Sequence, residues 1–381
     1  MFWEMLFLLL PVAAVTGWFL GWRSARRADG DAPSVSPEYY KGLNFLLNEQ
    51  PDQAAEVFLR VLNVDSESVE VHHALASLFL KRGEFDRAIR IHQNLIARPS
   101  LSREQRHETL FLLANDYFRA GVLDRAEGLL VELQNGTSYS QQSLILLLSI
   151  YQQQRDWDKA IAVAARLQKT DKARYQMSIA NYYCEIAETL PQQSAAQLKA
   201  IKKALSSEKS CARANILNAK GLMALGQYSR AIKIFARIES QDSTLLPDVL
   251  LLMVQCWEAS NRIDDAFDYL DSLLLRYSDP AIFYCYAELV RKYRLDESFR
   301  ERLATYLKDN PSLIGVVELL RIDCDLAVDD YRKDLLTLVE PMADNSTHYC
   351  CSQCGFKGHM LHWQCPSCQN WNSVRRVSAV H

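Results

Sequence analysis

The chain has 381 residues, 49% of them hydrophobic and 23% charged, which is enough for a sizeable core and excludes a disordered polymer as the default. Its net charge of −3 gives no general attraction to nucleic acid or acidic lipid. Only 13 Gly and 11 Pro argue against a turn-rich β protein and for a helical one.

From Met5 to Trp22 the sequence carries no charge, and about 18 apolar residues is the lower end of what spans a bilayer. Trp18 and Trp22 sit toward one end, where interfacial aromatics are expected. Arg23, Arg26 and Arg27 follow at once, whereas Glu4 is the only charged side chain before the apolar run. A secretory signal has its basic residues before the apolar core, so the charge order favours an anchor. Residues 1–22 are therefore expected to form a transmembrane helix with its N-terminus outside and the bulk of the chain in the cytoplasm. Residues 23–37 read as a juxtamembrane linker, polar and Pro/Gly-containing from Ala28 onward.

Beyond the linker one scheme recurs in GEFDRAIRIHQNLI, GVLDRAEGLLVEL, RDWDKAIAVAARL, GQYSRAIKIFARI and NRIDDAFDYLDSLL. A turn residue opens each copy (Gly83, Gly121, Arg155, Gly226, Asn261), and four of the five suit the left-handed end of a helix; Arg155 departs from that preference. Asp86, Asp124, Asp158, Ser229 and Asp264 suit the cap or first turn of the following helix. Ala88, Ala126, Ala160, Ala231 and Ala266 are small enough for two helices to pack closely, with intervals of 38, 34, 71 and 35 residues. The double interval implies a degenerate repeat around Ala180 to Ser206, and Ala54 extends the array toward the linker. A period near 34 with this small–large pattern resembles the tetratricopeptide repeat, which implies stacked helix pairs and a concave, protein-binding face. The array is placed at 38–338, and the resemblance to the repeat covers roughly 38–312.

Residues 339–381 hold the most specific chemical signal. Cys351-Ser-Gln-Cys354 and Cys365-Pro-Ser-Cys368 are two knuckles separated by ten residues. Each can put two thiolates on one ion, and two knuckles complete a closed four-sulfur site, which is structural rather than catalytic. Cys350 is a spare beside the first ligand, and His348, His359 and His362 are not needed once four thiolates fill the shell. Phe356, Trp363 and Trp371 are expected to form the small core around the ion. Disulfides and a redox-active pair are the alternatives, opposed by the expected cytoplasmic placement and the doubled motif. The knuckles resemble those of rubredoxin, which implies iron, while the short gap resembles a zinc ribbon; iron versus zinc stays open. Cys184, Cys211, Cys256, Cys285 and Cys324 are spaced singly through helical sequence and read as core filler. No phosphate loop, nucleophile elbow or open metal position supports an enzyme.

The expected fold class is all-α: a tetratricopeptide superhelix with one N-terminal transmembrane helix and a small C-terminal rubredoxin- or zinc-ribbon-like module. The whole layout resembles the lipopolysaccharide assembly protein B family of Gram-negative bacteria, most tellingly in LFLLLPVAAVTGW, GEFDRAIRIHQNLI, YCCSQCGF and HWQCPSCQNW. That resemblance implies a non-enzymatic inner-membrane regulator of lipopolysaccharide synthesis. It further implies an adaptor that brings the committed-step deacetylase of lipid A synthesis to the FtsH membrane protease. Other lipopolysaccharide assembly proteins are implied partners, nucleic acid is not, and a homo-oligomer is left open. The family's metal-ligating cysteines correspond to Cys351, Cys354, Cys365 and Cys368. A general envelope-assembly scaffold and a rubredoxin-like electron carrier are the competing readings.

Overall fold

A computed structural model describes Trp18 and residues 37–377, apart from short stretches at 49, 65–67, 278, 294–296, 310, 312, 327–329 and 345–347. The expected membrane span at 1–22 lies outside the described residues except for Trp18. Among the described residues no helix is long and apolar enough to cross a membrane.

The first compact unit ends at Ile150. It contains α1 (Pro37–Leu47), α2 (Pro51–Val64), α3 (Val69–Lys81), α4 (Phe85–Ile96), α5 (Arg103–Arg119), α6 (Leu123–Leu133) and most of α7 (Ser140–Gln154). Ala54, Ala76 and Ala88 are wholly buried with Phe58, Leu75 and Leu78 in one core, so the small residues do sit where helices cross. Ser102 and Gln105 form a reciprocal capping box at the start of α5, satisfying two donors that the helix itself cannot.

The second unit runs from Tyr151. Its helices are α8 (Trp157–Leu167), α9 (Lys172–Thr189), α10 (Ala195–Ser207), α11 (Ala212–Ala224), α12 (Tyr228–Phe235) and the short α13 (Ile238–Gln241). After a 3₁₀ turn at Ser243–Leu245 come α14 (Leu246–Ala259), α15 (Ile263–Leu274), α16 (Pro280–Tyr293), α17 (Glu297–Asp309), α18 (Leu313–Leu326) and α19 (Asp330–Asp344). The pair α9–α10 is the helix pair that the double interval required. Its core joins that of the neighbouring helices through Cys184, Ala204, Cys211 and Ala214.

The repeat joints follow the scheme with two refinements. Gly83, Gly121, Gly226 and Asn261 all have positive φ, and Arg155 adopts φ 57° too despite its side chain. The αL position is demanded by the joint itself, so a residue with a cost of about 1–2 kcal/mol there is carried by surrounding packing. The acidic and serine residues act in the first turn, not as caps: the cap positions hold Glu84, Val122, Asp156, Gln227 and Arg262. Of the scattered cysteines, Cys184, Cys211, Cys256 and Cys285 are buried as expected, and Cys324 is half-buried.

The chain ends in a three-stranded antiparallel sheet, β1 (His348–Cys351), β2 (Lys357–Gly358) and β3 (Val374–Val377), with β1 in the middle. The module is thus β-built, and the all-α description applies to what precedes it.

Candidate metal centre

The two knuckles are near copies of each other. The Gly355 N–H donates to the Cys351 carbonyl and the Gln369 N–H to the Cys365 carbonyl, both at 2.9 Å. In turn Cys351 N–H donates to Phe356 O at 2.8 Å, and Cys365 N–H to Asn370 O at 2.9 Å. Both turns close through a left-handed residue, Gly355 at φ 76° and Gln369 at φ 58°. Glycine takes that conformation freely, which explains it after the first knuckle; after the second, Gln369 takes it against its own preference.

These turns bring four sulfurs together. All lie within 4.8 Å of one another. Cys351 and Cys368 are 3.6 Å apart, as are Cys354 and Cys365. A tetrahedron of thiolates with metal–sulfur bonds of ~2.3 Å has edges of ~3.8 Å, so the spacing suits one ion of zinc or iron size. Donors already aim at the sulfurs: Gln353 N–H and the Asn370 side-chain amide each lie 3.4 Å from Cys351 and Cys368 respectively. The Ser373 hydroxyl, 3.3 Å from Cys351, holds that thiol down to about 6. Burial pushes Cys365 up to about 11. A bound cation would override that penalty, because thiolate is the ligating form. The set could hold one metal ion, and nothing in the donor chemistry separates iron from zinc.

Cys350 is excluded by strand alternation. It pairs across the sheet with Lys357 and Arg375, while its neighbour Cys351 turns into the module core. The core of the module is Tyr349, Cys351, Cys365 and Val374, with Phe356 and Leu361 packed against it. Phe356 therefore does what its sequence position suggested.

Trp363 and Trp371 do not. Both turn away from the sulfurs and pack onto the helices. Trp371 meets the edges or faces of Tyr182 and Trp157 at 5.7 and 6.2 Å, and those two rings stack on each other at 5.6 Å. The Arg213 guanidinium lies 5.5 Å from the Trp363 ring and 6.0 Å from the Trp371 ring. Arg213 is 3% exposed; its Nη2 lies 2.8 Å from both Glu185 and Glu188, and its Nε donates to Glu188 at 3.3 Å. Its Nη1 has no hydrogen-bond partner among the described residues, and the two indole rings supply cation–π attraction to the guanidinium.

Polar contacts complete the seat. The Tyr349 hydroxyl donates to Asp248 at 2.6 Å, Gln364 Nε2 to Gln152 at 2.9 Å, and Arg375 Nη1 to Asp242 at 3.1 Å. Burial raises both the Tyr349 and the Asp248 pKa. Sequence reasoning found the four sulfurs but not Gln152, Tyr182, Arg213 or Asp248. Each is an unremarkable helical residue locally, and only the approach of a segment far along the chain makes it part of the seat.

Three stretches of the chain match known families. Residues 349–376 match the rubredoxin metal-binding domain family, and 71–104 and 222–289 match tetratricopeptide repeat families. A crystal structure of MamA matches 45% of this chain and 96% of that one at 20% identity, with a TM-score of 0.34, too low to bear on the arrangement. Lipopolysaccharide assembly protein B of Escherichia coli (strain K12) is 34% identical over 386 residues, covering 99% of both chains. The protein of that name from Haemophilus influenzae is 33% identical, covering 98% of both. At that identity over the full length, the chain belongs to the lipopolysaccharide assembly protein B family.

Proposed function

We propose that this protein is a non-enzymatic, membrane-tethered adaptor in lipopolysaccharide assembly, which presents the lipid A pathway deacetylase to an FtsH-type membrane protease. The observation that carries the reading is the joining of a helical repeat array to a four-cysteine module in a chain related end to end to proteins named for lipopolysaccharide assembly. Repeat arrays offer extended surfaces for other proteins, and a closed sulfur site supplies folding rather than chemistry.

In this reading residues 1–22 anchor the chain in the inner membrane, 23–37 link, 38–338 bind partners, and 339–381 form the metal module. Cys351, Cys354, Cys365 and Cys368 ligate one ion, iron or zinc. The ion acts as a cross-link that folds the sheet and knuckles. Tethering confines the array to the plane of the protease and raises the effective concentration of whatever it holds.

Depleting the protein in cells tests the reading. The deacetylase should become longer-lived and more abundant, and re-expression should reverse both. Unchanged deacetylase turnover would defeat it. A purified protein with a reversible one-electron iron signal would favour the electron-carrier reading.

A further inference from the structure

A cavity of about 440 Å³ lies between the metal module and the helices that seat it. That volume is in the range of ~300–1,000 Å³ typical of ligand sites. One wall is the end of α7, the Arg155 turn, and α9 and α11; the other is the 361–369 segment that includes the second knuckle.

The inner layer is already bonded. Gln364 donates to Gln152, which donates to the Tyr182 hydroxyl at 2.8 Å. Arg213 is matched by Glu185 and Glu188. The outer layer has capacity to spare: the side chains of Gln153 and Gln369, both exposed, make no hydrogen bond, and the exposed Arg155 guanidinium makes no ion pair, among the described residues.

This pattern discriminates between ligand classes. Both lining glutamates are taken up by Arg213, so Arg155 is the one lining arginine without an ion pair among the described residues, too little positive charge for a polyanion such as a phosphate chain. Aromatic faces that would stack on a sugar or base are engaged: Trp157 on Tyr182, and Trp363 under Arg213. What remains is a pair of primary amides, each able to donate and accept, beside one unmatched cation. Primary amides, each a donor and an acceptor, complement the alternating N–H and C=O of an extended main chain, which is how peptides gain affinity independently of sequence.

We propose that this cavity binds an extended peptide segment of the client protein, with Gln153 and Gln369 holding its main chain and Arg155 meeting an acidic side chain. The proposal rests on the adaptor reading and names the site at which the client is gripped. It also gives the metal module a direct part in binding, because that module supplies one wall.

The test uses the purified full-length protein in detergent, the purified deacetylase, and an array of overlapping short peptides covering the deacetylase sequence. Gln153→Trp fills the cavity, Arg155→Glu reverses its unmatched charge, and Gln153→Ala serves as a milder variant. Metal content and helicity are measured on each. Wild type should bind the deacetylase and a small set of acidic peptides, and Gln153→Trp and Arg155→Glu should each weaken both at least tenfold with metal content unchanged. Unchanged binding by these variants would overturn the cavity proposal while leaving the adaptor reading standing. No deacetylase binding by wild type would overturn both. Displacement of the deacetylase by a neutral oligosaccharide, with no peptide bound, would overturn the peptide assignment.

Discussion

The hydroxyl of Tyr349, in the central strand of the metal module, donates a 2.6 Å hydrogen bond to Asp248 in the first turn of α14, 101 residues earlier in the chain. Tyr349 is also adjacent to the ligand-bearing end of its strand, two positions before Cys351. One residue thereby belongs to the module core and to its seat on the helices. Folding of the sulfur site and support of the helices are linked through it.

The first prediction concerns that link. Tyr349→Phe removes the donor and leaves Asp248 buried without it, which costs about 1–3 kcal/mol. Tyr349 is 7% exposed, so water does not readily substitute. Thermal unfolding of the variant should shift downward while its metal content stays at one ion per chain. An unshifted transition would remove this bond from the account.

Metal removal should act more broadly. Structural four-thiolate sites contribute apparent binding energies of about 10–16 kcal/mol, so a chelated module unfolds. The helices should stay helical by circular dichroism, yet lose the contacts of Trp363, Trp371 and Gln364. A loss of about 3 kcal/mol of seating would lower the transition of the second unit by roughly 6–12 °C. Cys351→Ser or Cys365→Ser should reproduce this without chelator, whereas Cys350→Ser should keep the metal.

Arg213 gives a prediction about burial. Arg213→Ala leaves Glu185 and Glu188 facing each other at the seam and strips the indole rings of their cation. Removing one partner of a buried charge cluster costs about 3–5 kcal/mol. Hydrogen exchange should rise in α9, α11 and the 361–371 segment together. Arg213→Met, which keeps bulk, should lose less packing but the same charge match.

The first unit carries a pH response. Burial, with help from His92 and His72, lowers the His73 pKa from 6.5 to about 4. Around it His92 and Asp116 form a buried 2.5 Å pair, Thr109 lies 3.1 Å from His73, and Arg98 donates to His72 at 2.8 Å. Because His73 stays neutral when folded but protonates near 6.5 when unfolded, its contribution is full above that value. It is lost as pH falls from about 6.5 to 4. His73 is half-buried, so about 2 kcal/mol is the scale after allowing for solvent. His73→Gln should flatten the decline of thermal stability between pH 6.5 and 4.

The repeat joints were readable because their causes are local. A left-handed turn residue, an acidic first turn and a buried alanine recur at a fixed spacing, and Ala88, Ala126, Ala160, Ala231 and Ala266 are all fully buried. The four sulfurs were readable for the same reason, since each knuckle is a turn of a few residues. Trp363 and Trp371 were misassigned because two tryptophans beside a metal knuckle satisfy the local rule for a miniature core equally well. Only the helices opposite them, with Tyr182 and Arg213, decide which way the rings turn.

The most direct measurement of the adaptor account is deacetylase half-life in proteoliposomes that contain the purified membrane protease, ATP and the deacetylase, with and without this protein. Full-length protein should shorten the half-life several-fold, and Cys351→Ser protein or a form lacking residues 1–22 should not. Degradation at the same rate with and without the protein would contradict the account.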